Sequence, residues 1–189
     1  MILFFYGTLM DPDLLRELTG ERAAALRLTP GHLPHYKRMR ARDGDYPVLV
    51  PRIGARAPGL FVEGLDPQSL LWISHFEGPR YLPQRVMARD LAGQRLRPWV
   101  FMPVSPAHAS DKSWDFKQWQ RRQKPRTCRM LRNWWTLEAS RGLPLSMDVP
   151  WRVRRRLAWM TAERRRQPRP NPHLPQQANV RAIPCSAPS

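Results

Sequence analysis

Residues 2–9, Ile2-Leu3-Phe4-Phe5-Tyr6-Gly7-Thr8-Leu9, constrain this chain more than any other stretch. Five apolar or aromatic residues run into Gly-Thr, and Asp11-Pro12 follows at once. The pattern predicts a buried strand, a tight glycine turn, and a helix with Asp11 as N-cap and Pro12 in its first position. Such a junction leaves backbone N–H groups aimed into one small concavity. That concavity suits a carboxylate or a developing oxyanion.

Beyond it, the turn residues set the architecture. Leu14, Leu15 and Leu18 share one face of a short helix over Asp11–Leu18 that Gly20 stops. Strands are then predicted over Ala23–Leu28, His32–Met39, Tyr46–Val50 and Leu60–Val62, punctuated by Pro30-Gly31, Asp43-Gly44, Gly54 and Pro58-Gly59. Gln84–Leu91 and Arg95–Met102 read as two further strands around Gly93, residues 103–113 as a loop, and Trp114–Gln123 and Pro125–Ser140 as helices. Short strands with turns every eight to twelve positions predict an α+β fold: a small mixed β-barrel or curled sheet with flanking helices.

The helix over Asp66–Glu77 is the most informative. Asp66 caps it, Pro67 opens it and Gly78-Pro79 ends it, with Leu70 and Ile73 on the packing face. Glu77 therefore lies in the last turn, where the helix dipole disfavours a carboxylate by about 0.3–1 kcal/mol. Trp72, Ile73 and Phe76 add desolvation, so its pKa is expected to rise and it becomes a candidate general base or acid. The bland alternative is that Glu77 points to water or forms an ion pair with Arg80 or Arg85.

The order of these elements resembles the γ-glutamylcyclotransferase-like family. Tyr6-Gly7-Thr8-Leu9 matches its signature turn; Tyr46-Pro47, Gly59-Leu60-Phe61 and Gly64-Leu65 follow, then the helix ending Phe76-Glu77-Gly78 before Tyr81. The likeness covers roughly residues 1–120. It implies cyclisation of a γ-glutamyl amide to 5-oxoproline, with Glu77 as catalytic residue. Tyr6, Gly7, Thr8, Leu9 and Tyr81 are the implied substrate-binding residues, and no metal or organic cofactor is required. Leu82-Pro83-Gln84 departs from the family's pattern behind the tyrosine and leaves the role of Arg85 open.

Charge divides the chain of 189 residues unequally. Residues 1–110 carry a net +4 and residues 111–189 a net +13. Three parts are expected: a domain over 1–125, a helical basic extension over 126–166, and a disordered Pro-rich tail over 167–189 with six prolines. Arginines interleaved with Trp151 and Trp159 raise an alternative, a non-catalytic protein that binds a small metabolite, or nucleic acid or another polyanion through non-specific contact with this basic extension. Cys128 and Cys185 imply no disulfide framework, the N-terminus has no basic leader, and no run of about eighteen apolar residues is present. The expected setting is cytoplasmic, without a membrane span.

Overall fold

The computed structural model describes residues 1–141. Eight strands form one mixed sheet: β1 (Ile2–Phe5), β2 (Arg27–Ala41), β3 (Pro47–Glu63), β4 (Tyr81–Arg85), β5 (Ala88–Asp90), β6 (Arg95–Leu96), β7 (Trp99–Pro103) and β8 (Ala109–Ser113). Four helices flank it: α1 (Pro12–Thr19), α2 (Pro67–Glu77), α3 (Phe116–Arg122) and α4 (Lys124–Arg141). The strand order is β4-β7-β1-β3-β2-β5-β6, with β8 pairing β2 off that path. Only β7 and β1 run parallel, with Leu3 opposite Trp99; the other pairs are antiparallel. No described helix is long and apolar enough to cross a membrane.

The period-two alternation of β1 serves two cores. Leu3 and Phe5 pack with Leu14, Leu15 and Leu18 of α1, Leu70 and Ile73 of α2, and Trp99 and Phe101 of β7. Phe4 and Tyr6 face the other way, to Leu33, Leu49, Ala57, Phe61, Val100 and Met102. Among the described residues no helix contributes to this second core, and the sheet curls over it. The result is a half-barrel, as the turn spacing predicts.

Two glycines expected to turn the chain instead permit close approach. Gly31 and Gly59 pair with each other inside the β2–β3 ladder. A Cβ on Gly59 would strike the Phe5 carbonyl and the Phe4 ring; one on Gly31 would strike the Phe61 ring and the Arg89 carbonyl. Pro30-Gly31 and Pro58-Gly59 therefore lie within two long strands rather than between four short ones. Gly54 does bend the backbone (φ 79°), and its N–H donates to His35 Nδ1 at 3.2 Å across a bulge where His35 itself has φ 63°.

Other expectations also shift. The strand predicted at Ala23–Leu28 is a 3-10 turn over Gly20–Ala25, and β2 begins at Arg27. The single strand predicted over Gln84–Leu91 breaks after Arg85 because the chain changes partners: β4 pairs β7, β5 pairs β2 and β6, and the Val86 N–H donates to the Pro98 carbonyl. The predicted loop over 103–113 contains β8, which closes onto Met39 and Ala41. The helix expected from Trp114 starts at Phe116, since Asp115 accepts from the Gln118 N–H at 2.6 Å and caps it.

Buried charge locks α4 to the front of the molecule. Lys124 Nζ lies 2.9 Å from Asp11 Oδ2 and 2.7 Å from Asp13 Oδ2, and Gln120 donates to Asp11 Oδ2 at 2.8 Å. Asp11 Oδ1 meanwhile caps α1 through the N–H groups of Asp13 and Leu14. Cys128 and Leu131 of α4 belong to the helix-side core. The rest of the helical basic extension expected over 126–166, from residue 142 on, and the tail expected over 167–189 lie outside the described residues.

Candidate active site

Two sequence motifs far apart in the chain meet at Pro47. The turn after β1 is built by Met10 N–H donating to the Gly7 carbonyl (3.1 Å) and Asp11 N–H to the Thr8 carbonyl (3.0 Å). Leu9 points its side chain into the core, 2% exposed, so only its backbone is available to a ligand. The N–H groups of Gly7, Thr8 and Leu9 donate to no acceptor among the described residues. A Cβ on Gly7 would come within 2.9 Å of Pro47 Cγ, which accounts for glycine at this position. The Tyr81 hydroxyl donates to the Pro47 carbonyl at 3.0 Å. Tyr6, at the end of β1, donates its hydroxyl to the Phe101 carbonyl at 2.8 Å and pins β1 to β7.

Glu77 closes this arrangement. Asp66 accepts from the Ser69 N–H at 2.7 Å to start α2, and Gly78, at φ 70°, stops it with its N–H on the Ser74 carbonyl. The stop leaves Glu77 on the same helical stripe as Leu70, Ile73 and Ser74, all of which are buried. Protein surrounds Glu77, yet the residue keeps partial solvent contact. Burial raises its pKa from 4.5 to about 8, and no cation lies close enough to hold the charge. Its carboxyl makes no hydrogen bond or ion pair with any described residue.

Both tyrosine hydroxyls sense that carboxylate. Burial pushes Tyr6 well above its ordinary value, with the charge of Glu77 and then Tyr81 adding to the effect. Tyr81 is raised by burial first, then by Glu77, Tyr46 and Asp43, with Arg80 opposing. Tyr6, Glu77 and Tyr81 therefore share one electrostatic neighbourhood, beside the Gly7–Leu9 turn.

The ion pairs that offered a bland account of Glu77 go elsewhere. Arg80 Nη1 pairs with Asp43 Oδ2 and also donates to the Tyr46 hydroxyl at 3.2 Å, while Tyr46 donates to Asp43 Oδ1 at 2.6 Å. The Tyr46 hydroxyl and then Arg80 hold the Asp43 carboxyl down to about 2. This latch joins the β2–β3 turn to the α2–β4 turn, beside Tyr81. Arg85 lies over the Trp99 ring, 5.2 Å from its centroid, and donates to the Arg97 carbonyl.

Sequence reasoning missed two residues that contact this region. Asp43 reads only as a hairpin residue, because its partner Arg80 is 37 positions away. Arg38 reads as one more strand arginine, but it reaches the turn after β1 and donates to the Tyr6 carbonyl at 3.3 Å. Among the described residues, no group of three or more His, Cys, Asp or Glu is placed to hold a metal ion.

Residues 3–121 match the model of the family described as gamma-glutamyl cyclotransferase, AIG2-like. AIG2-like protein B of Arabidopsis thaliana is 26% identical over 126 residues, spanning 63% of this chain and 69% of that protein. Two solution structures of Arabidopsis thaliana proteins superpose with a TM-score of 0.51 each, at 20% and 19% identity. They cover 76% and 74% of this chain, and 93% and 83% of their own, which is a likeness of fold.

Proposed function

This chain belongs to the gamma-glutamyl cyclotransferase, AIG2-like family, and on that premise we propose that it cyclises a γ-glutamyl amide with Glu77 as proton shuttle. The substrate's α-amine attacks its own γ-carbonyl carbon. One C–N bond forms to close a five-membered ring, the original amide C–N bond breaks, and 5-oxoproline leaves with an amine or amino acid. The atoms balance without water, oxidant or cofactor.

What the step demands is small. Nucleophile and electrophile are already joined, so folding the glutamyl chain back against the Gly7–Leu9 turn supplies most of the entropy. The ammonium must lose a proton before attack and the leaving nitrogen must gain one afterwards. One carboxyl can carry that proton both ways, for about 10²–10⁴ in rate, provided its pKa lies near that of the groups it serves. Glu77, raised to about 8 and unpaired, meets that condition, and this single observation carries the reading. The arriving ammonium itself favours the carboxylate form, so binding would prime the base.

The tetrahedral intermediate needs donors for its oxyanion, and the free N–H groups of Gly7, Thr8 and Leu9 are our assignment. Tyr81, fixed by Pro47, keeps its hydroxyl lone pairs toward its surroundings and lines the site beside Glu77. The test is release of 5-oxoproline, followed by mass spectrometry, from γ-glutamyl amines, γ-glutamyl amino acids and glutathione. We expect product from at least one compound and at least a hundredfold loss in Glu77→Gln with the fold retained. Activity that survives in Glu77→Gln would refute the assignment of the base.

A further inference from the structure

Arg38 is held in an unusual way for a half-buried arginine. Every side-chain hydrogen bond it makes uses Nη1: to the Tyr6 carbonyl at 3.3 Å, the Pro58 carbonyl at 3.4 Å and Met10 Sδ at 3.6 Å. Its guanidinium lies over the Trp114 ring, 5.3 Å from the centroid. Trp114 is fixed in turn, its backbone N–H on the Arg38 carbonyl at 3.1 Å and its indole N–H on the Asp45 carbonyl at 3.4 Å. The Nε–Nη2 edge, the fork whose spacing fits the two oxygens of a carboxylate, meets no acceptor among the described residues.

No carboxylate forms an ion pair with this cation among the described residues. Burial works against its charge, and Asp115 is the one charged group that offsets this from a distance. A desolvated guanidinium with a preset but empty fork gains more from an arriving anion than a solvated one, since much of its desolvation and ordering is already complete. It stands on the turn whose Gly7, Thr8 and Leu9 amides are also free. Arg38 makes no ion pair with Glu77 among the described residues.

We propose that Arg38 is a specificity-determining residue that clamps a carboxylate of the γ-glutamyl substrate through its free Nε–Nη2 edge. This rests on the cyclotransferase reading. The carboxylate is either the α-carboxylate of the glutamyl group or that of the amino acid that leaves. Both present the same chemistry to the fork.

The test compares three substrates in the wild type, Arg38→Met and Arg38→Lys. The first is a γ-glutamyl amino acid. The second is the matching γ-glutamyl amine, which lacks the leaving-group carboxylate. The third is the 4-aminobutyryl amide of that amine, which lacks the α-carboxylate and would cyclise to 2-pyrrolidinone. We expect Arg38→Met to lose about 10- to 100-fold in kcat/KM wherever the clamped carboxylate is present, mainly through KM, and much less where it is absent. Arg38→Lys, which keeps the charge but not the fork, should recover part of the loss. Selective loss on both γ-glutamyl compounds identifies the α-carboxylate; selective loss on the amino acid alone identifies the leaving group's. Equal loss on all three would overturn the proposal and make Arg38 a structural staple.

Calorimetric titration of 5-oxoproline keeps the two readings apart. If the wild type turns over none of the three, the cyclotransferase reading fails, whereas weaker binding of 5-oxoproline, or of the free leaving amino acid titrated in the same way, in Arg38→Met still supports the clamp, and equal or undetectable binding of both overturns it. If Arg38→Met does not fold, Arg38→Gln replaces it in both assays.

Discussion

Replacing Glu77 by glutamine should stabilise the protein, and by an amount that grows with pH. Folding raises the pKa of this carboxyl from 4.5 to about 8, so the folded state prefers the protonated form. Below the unfolded value both states hold the proton, and Glu77 imposes no penalty. As the pH rises from there toward about 8, the unfolded chain releases the proton while the folded chain keeps it. Stability then falls by about 1.4 kcal/mol per pH unit, because the native state binds more protons. Above about 8 both states are ionised and the loss levels off. At pH 7 the gap from the unfolded value corresponds to about 3 kcal/mol, which partial solvent contact at Glu77 reduces to about 2 kcal/mol. Glutamine has nearly the same shape and no charge to desolvate. Urea unfolding of both proteins from pH 5 to pH 8.5 isolates the term, since other titrations cancel in the difference. The mutant should nearly match the wild type at pH 5 and exceed it by about 2 kcal/mol or more at pH 8. Parallel curves, or a mutant that becomes relatively weaker as pH rises, would refute the argument that burial disfavours this charge.

Three other substitutions probe the contacts around the site and the α4 anchor. Lys124→Met leaves Asp11 and Asp13 buried without their cation and should cost about 3–5 kcal/mol in urea unfolding, far more than loss of a surface pair. Tyr81→Phe removes the donor to the Pro47 carbonyl and should cost about 1 kcal/mol of stability while lowering 5-oxoproline release. Asp43→Asn weakens the latch between the β2–β3 and α2–β4 turns; steady-state kinetics should show KM rising more than kcat falls, with the melting temperature nearly unchanged. The Asp43 carboxyl is held down to about 2, so the latch should persist in acid until the pH falls near that value.

The burial of Glu77 at the end of its helix is legible in the sequence because every clue to that placement is local. Asp66, Pro67, Gly78 and Pro79 bracket the helix, and the apolar spacing of Leu70 and Ile73 places Glu77 on the packed stripe. The β1 turn was legible for the same reason. What local pattern does not encode is the other end of a long contact. Arg80 stands three residues past Glu77 and looks like its partner, yet it reaches Asp43, 37 positions away. Lys124 is 111 residues from Asp13 and reads as one more cation in a basic half. Gly31 and Gly59 carry the composition of turns, whereas their role is to let Phe61, Phe4 and the Phe5 carbonyl approach. The predicted loop over 103–113 contains β8 because Met39 and Ala41 supply a strand edge, which no pattern within those residues announces.

The pH dependence of kcat/KM for 5-oxoproline release tests the central claim most directly. With Glu77 as the base, the profile should rise through about pH 8 and fall again as the substrate's ammonium titrates, and Glu77→Gln should abolish the signal. A rate that is already on its plateau at pH 5–6 would mean that an ordinary carboxylate, or no carboxylate, moves the proton, and would contradict the account.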